Sequence, residues 1–129
     1  MAVLSFNHFN IRAPLPLMEA VKDFYCDVVG LHVGERPDFG FAGYWLYLGD
    51  LPVLHLMEWT DAHEDALDTP SHLDHVAFSC EDIAAFAEKL DAQGVDYRRK
   101  DYALPDGRAF SQLFVRDPTG TGVELNFVA

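Results

Sequence analysis

The strongest constraint on this chain is that its pattern occurs twice. A β-type run is followed by an amphipathic helix with a glycine after it, then by further β-type runs, and the series starts again. The first helix is expected from about Leu17 to Val29, with Leu17, Val21, Phe24 and Val28 on one stripe and Gly30 as a left-handed stop. The second is expected from about Asp82 to Gln93, with Ile83, Phe86, Ala87 and Leu90 on its stripe, Gly94 behind it and Ser79 with Asp82 as a capping box. Strands are expected over Leu4–Arg12, Tyr44–Leu48, Val53–Trp59, Leu73–Ser79, Ser111–Arg116 and Gly122–Val128. Gly49-Asp50 and Asp117-Pro118-Thr119-Gly120 supply turn chemistry between them. The implied organisation is one domain over residues 1–129 made of two βαβββ halves, about 1–59 and 72–129, joined by an acidic linker over 60–71.

Alternate residues of a strand face opposite sides, so parity sorts each strand into two lists. One list is apolar: Phe9, Ile11; Leu46, Leu48; Leu54, Leu56; Val76, Phe78; Leu113, Val115; Val123, Leu125, Phe127. This face is expected to pack under the helices. The other list mixes aromatic and polar side chains: His8, Asn10, Arg12; Trp45, Tyr47; Val53, His55, Met57; His75, Ala77, Ser79; Gln112, Phe114; Glu124, Asn126. Aromatic walls with a few convergent polar groups line small-molecule pockets. A face buried against another chain, with incidental histidines, is the alternative on pattern alone.

Composition narrows the partners. The 129 residues hold 21 acids against 9 bases, a net charge of −12, which repels nucleic-acid backbones and anionic lipid surfaces. No stretch reads as a signal peptide or an apolar span, and Cys26 and Cys80 sit in apolar runs without redox or zinc spacing. A cytoplasmic setting, with both thiols as small buried hydrophobes, is the expectation.

Three histidines and one glutamate share the polar parity at matched places: His8 and His55 in the first half, His75 and Glu124 in the second. Each half offers one donor from its first strand and one from its last. Imidazole and carboxylate suit a borderline divalent ion, and two His with one carboxylate leave positions open for substrate or dioxygen. His32, His63 and His72 lack this placement and are expected on solvated surface.

Several segments together resemble a known family. They are His8 opening the first strand, Phe24-Tyr25 through Val29-Gly30-Leu31, Leu73-Asp74-His75-Val76-Ala77-Phe78, and Phe114-Val115-Arg116-Asp117-Pro118-Thr119-Gly120 before Val123-Glu124-Leu125. The chain looks like the vicinal oxygen chelate superfamily, which groups glyoxalase I, extradiol dioxygenases, fosfomycin-resistance thiol transferases and bleomycin-resistance proteins. The resemblance implies an α+β fold of two tandem βαβββ modules, a curled mixed β-sheet forming a cavity covered by helices. It also implies a homodimer and a divalent metal in the cavity, Fe2+ first, with Zn2+, Ni2+ or Mn2+ as alternatives.

Carried over by position, His8, His75 and Glu124 fall on metal-ligand positions, and His55 falls where glyoxalase I has a metal-binding, proton-moving glutamate. The same order is similar to extradiol dioxygenases, in which His55 would be the acid and base beside a site of two His and one Glu. Phe114 departs from the tyrosine those enzymes commonly carry. An extradiol-dioxygenase-like enzyme acting on a small oxygenated substrate is therefore the first expectation. A glyoxalase I-type lyase or isomerase, in which all four ligate Zn2+, Ni2+ or Mn2+ and Glu124 detaches to act as the catalytic base, is the alternative, and a non-catalytic bleomycin-resistance-type binder is a third. Asn10, Arg12, Trp45, Tyr47, Gln112 and Phe114 are the expected substrate contacts around the metal.

Overall fold

The computed structural model describes residues 4–59, 73 and 75–128. They divide into an N-terminal unit within residues 1–69 and a C-terminal unit within residues 70–129. The acidic segment 60–71, together with His63, His72 and Asp74, lies outside the described residues.

In the N-terminal unit, strand β1 (Phe9–Ala13) leads into helix α1 (Leu15–Phe24), which ends in a π-helical turn over Tyr25–Val29. Strands β2 (His32–Gly34), β3 (Gly43–Leu48) and β4 (Leu51–Glu58) follow, and the sheet order is β1-β4-β3-β2. The C-terminal unit repeats the plan. It runs β5 (His75–Cys80), helix α2 (Ile83–Ala92), β6 (Arg98–Ala103), β7 (Ala109–Arg116) and β8 (Gly122–Val128), with sheet order β5-β8-β7-β6. In each sheet the first and last strands of the unit pair in parallel and the other pairs are antiparallel. The fold is therefore α+β, built from two βαβββ units with open mixed sheets, as the duplicated pattern predicts.

The helices end where glycine was expected to end them. Gly30 sits at φ 101°, a left-handed conformation that costs glycine little, and both its N–H and that of Leu31 donate to the Tyr25 carbonyl. The buried stripe of α1 and its terminal turn is Met18, Val21, Tyr25 and Val28, so two of its four members lie one residue beyond the expected Leu17 and Phe24. At α2 the capping box is corrected: Asp82 is the N-cap and accepts from the Ala85 N–H at 3.1 Å, while Ser79 belongs to β5.

Parity holds for most of the core. Leu46, Leu54, Leu56, Leu113, Val115, Val123, Leu125 and Phe127 are buried under the helix face, and Phe86 of α2 meets Phe127 edge-on at 5.7 Å between centroids. Phe9, Ile11, Val76 and Phe78 are half-buried, and Leu48 is the one exposed member of the list, 51% exposed, because the β3–β4 register shifts between Leu46 and Leu48 and turns the last residue of β3 outward. The expected strand over Leu4–Arg12 is shortened to Phe9–Ala13, leaving His8 immediately before it. β2 and β6 are additional edge strands.

Leu54 is fully buried at the centre of the N-terminal sheet, between β1 and β3. A Leu54→Ala protein is expected to lose about 2–5 kcal/mol of stability, the range for emptying a leucine site in a close-packed core. Urea unfolding checks this, and a loss below about 1 kcal/mol would place Leu54 outside the core.

Candidate functional site

Parallel pairing of the first and last strands makes the polar face of each unit. In the N-terminal unit Asn10 lies level with His55, and Trp45 faces His55 from β3, so one row crosses three strands. His8, two residues before Asn10, lays its ring on His55 at 3.8 Å and 12°, and Trp45 covers the other side at 4.2 Å and 10°. His55 is thus the middle layer of a three-ring stack.

That setting fixes the chemistry of His55. Its Nε2 lies 3.1 Å from the Pro52 carbonyl, which can only accept, so Nε2 carries the hydrogen and Nδ1 keeps a lone pair. Burial first, and the neighbouring His8 second, lower its pKa below the ordinary imidazole value and favour this neutral form. His8 is steadied through Nδ1, which donates to the Asn7 side-chain oxygen at 2.6 Å and leaves the lone pair on Nε2. The sequence pattern passes over Asn7, because in the expected strand Leu4–Arg12 it shares the parity of Phe9 and Ile11 rather than that of His8.

In the C-terminal unit Glu124 lies level with Ala77 of β5 and Phe114 of β7. His75, two residues before Ala77, brings its Nε2 to 3.6 Å from Glu124 Oε1. Gln112 donates from Nε2 to Glu124 Oε2 at 3.4 Å and to Asn126 Oδ1 at 3.0 Å, so the carboxylate has a supporting amide behind it. The pairing register of β7 and β8 depends on the turn between them. Buried Asp117 accepts from the Thr119 N–H, the Thr119 hydroxyl and the Thr121 N–H at 2.8, 2.6 and 3.1 Å. The Asp-Pro-Thr-Gly segment thus holds the hairpin that sets Glu124 opposite Phe114.

The two units present equivalent pairs. His8 stands two residues before the partner of His55, and His75 stands two residues before the partner of Glu124. Among the described residues no group of three or more metal-donor side chains is gathered, and the donors occur as these two pairs. The His75–Glu124 pair opens on a cavity of about 620 Å³, also lined by Phe114, Arg98, Tyr97 and Asp96. That size suits a small organic ligand. The His55 side holds a smaller recess of about 160 Å³ among Asn10, Trp45, Arg36, Phe39 and Phe41.

The remaining expected contacts are dispersed. Arg12 is half-buried on β1, level with Met57. The Tyr47 hydroxyl donates to the Glu35 carbonyl at 2.7 Å, its ring stacks with His32, and a Cβ at Gly34 would enter that ring, so Tyr47 anchors β2. Residues the pattern did not reveal include Arg36, which lies over Phe39 and Phe41, and Arg98 and Lys100, which lie over Phe114. Both thiols are pushed above the ordinary cysteine value by burial, which disfavours the reactive thiolate.

Comparison with known proteins bears on this arrangement. A lactoylglutathione lyase from Pseudomonas putida is 26% identical, the match covering 93% of this chain and 83% of the relative. A glyoxalase-family structure from Bacillus anthracis superposes with a TM-score of 0.71 at 23% identity, over 100% of this chain and 98% of that one. An antibiotic binding protein from Streptomyces superposes at 0.68 and 23% identity, over 100% and 99%. The family model described as Glyoxalase/Bleomycin resistance protein/Dioxygenase superfamily matches residues 5–125. With that match running from ahead of the first histidine pair to one residue past Glu124, the chain belongs to the glyoxalase, bleomycin resistance protein and dioxygenase superfamily.

Proposed function

We propose that this protein is a divalent-metal-dependent lyase or isomerase acting on a small substrate with two neighbouring oxygens. The observation that carries the reading is the equivalence of the two donor pairs: His55 occupies in its unit the position that Glu124 occupies in the other. Equivalent positions favour equivalent roles, which makes His55 a ligand with His8, His75 and Glu124. The extradiol reading instead sets His55 aside for proton handling. The relative named lactoylglutathione lyase supports the lyase version.

The donors fit a metal ion. His55 is neutral with Nδ1 as the donor atom, His8 is steadied through its other nitrogen, and Glu124 is backed by Gln112. Imidazole and carboxylate accept Zn2+, Ni2+, Mn2+ or Fe2+. When bound, such an ion supplies Lewis-acid polarisation of the substrate oxygens.

The chain's own residues do the rest. Glu124 is the one carboxylate among the four donors and the group suited to take a proton from the carbon beside one oxygen and return it to the neighbouring carbon. Gln112 holds Oε2 of that carboxylate while the proton moves, and Phe114 walls the cavity beside it. The homodimer implied by the resemblance belongs to the same reading.

The test is metal analysis of protein purified without added metal, followed by two assays and a mass measurement. Near-stoichiometric metal, turnover of the methylglyoxal–glutathione adduct, no oxygen uptake with catechols and twice the 14.5 kDa chain mass in solution are expected. Oxygen uptake with catechols and no adduct turnover would overturn the lyase reading in favour of the dioxygenase.

A further inference from the structure

β6 carries three of the chain's nine bases, Arg98, Arg99 and Lys100. Its residues alternate between the faces of the C-terminal sheet. On one face Arg99 is paired with Asp101 at 3.1 Å, and Asp101 is held in turn by the Ser111 hydroxyl at 2.6 Å. On the other face stand Arg98, level with Phe114, and Lys100, level with Gln112. Neither forms an ion pair with any described residue, although Asp96 is two residues from Arg98. Both cationic heads are instead drawn over the Phe114 ring, at 5.6 and 5.8 Å from its centroid.

This is the face that carries His75 and Glu124. Register places Arg98, Phe114 and Glu124 in one row across β6, β7 and β8, and Lys100, Gln112 and Asn126 in the next. Arg98, Phe114, Glu124 and His75 line the same cavity of about 620 Å³. Two strand spacings, about 10 Å, separate the β6 backbone from the β8 backbone that carries the donor glutamate, and the cationic heads lean over the intervening strand toward it.

We infer that Arg98 and Lys100 hold the acidic end of the substrate, selecting molecules that carry a carboxylate or phosphonate on the β6 side of the cavity, across Phe114 from the atoms that meet His75 and Glu124. The far end of this assignment rests on the metal-site reading; the anion end stands on Arg98, Lys100 and Phe114. Arg98 offers a planar fork and Lys100 a point charge, a combination that takes a tetrahedral or planar anion alike.

Metal-stripped protein, titrated with phenylphosphonate and followed by amide NMR shifts, separates the two readings, because binding there needs no metal. Saturable shifts confined to β6, β7 and their neighbours are expected, with the neutral diethyl ester producing none. The double variant R98Q/K100Q is expected to weaken binding at least tenfold. R99Q, which removes a cation of the opposite face, is expected to leave it within twofold. Equal losses in R99Q and R98Q/K100Q would reduce the effect to overall charge and overturn the assignment. Absence of saturable binding to the unaltered protein would overturn it too. Failure of metal binding with intact phenylphosphonate binding would instead count against the lyase reading alone.

Discussion

Replacing Glu124 with alanine is expected to lower divalent-metal affinity by more than about a hundredfold and to abolish turnover. Loss of a supporting residue behind a ligand typically costs about 10–100-fold, and loss of the ligand itself must exceed that. The structure offers its own calibration, since Gln112 is such a supporting residue, donating to Glu124 Oε2. Gln112→Ala is therefore expected to fall inside the 10–100-fold range and Glu124→Ala beyond it. Glu124 is only half-buried, so neither change should unfold the protein, and matching urea midpoints would establish that. Glu124→Gln keeps a side chain in reach of Gln112 while removing the negative charge, and should behave like the alanine variant in metal content. Unchanged metal in all three would remove Glu124 from the site.

The second large effect concerns His55. If it is a ligand, His55→Ala is expected to lose metal as severely as Glu124→Ala. If it only handles a proton, metal content stays and activity alone disappears, which is the extradiol outcome. The stack makes the control necessary: His55 lies between His8 and Trp45, so its removal also frees both rings. His55→Phe restores a flat ring without a nitrogen donor. Metal loss in both variants identifies the imidazole nitrogen, rather than the stacking, as what matters.

Much of the fold can be read from the letters because the signals are local. Gly30 and Gly94 stop helices through a conformation that only glycine adopts cheaply, at φ 101° and 66°. Parity along β4, β7 and β8 sorts core from cavity residue by residue. The errors come where local pattern meets a distant partner. Leu48 looks apolar and inward, but the irregular β3–β4 pairing turns it out. β6 has polar residues on both faces, so no alternation marks it as a strand; it exists because β7 offers it a ladder.

The site divides the same way. Residue type and parity select His8, His55, His75 and Glu124. The two-residue offset that lays one ring on the other depends on parallel register, which no single segment encodes. Tyr47 shares the polar parity yet spends its hydroxyl on the Glu35 carbonyl, a use visible only once β2 is in place. Arg98 and Lys100 escape notice for the reason β6 does.

The edge strand has a consequence for self-assembly. β6 lies at the margin of its sheet and every residue from Arg98 to Ala103 is exposed, with no proline among them. Such a margin invites a second copy to add its own strand and begin a fibril. In a parallel in-register addition, Arg98, Arg99 and Lys100 would each face their own copies, and that stack of like charges opposes propagation. The residues assigned to hold a substrate's acidic end would therefore also oppose this stacking, and an acidic ligand that neutralised them would weaken the repulsion while it is bound.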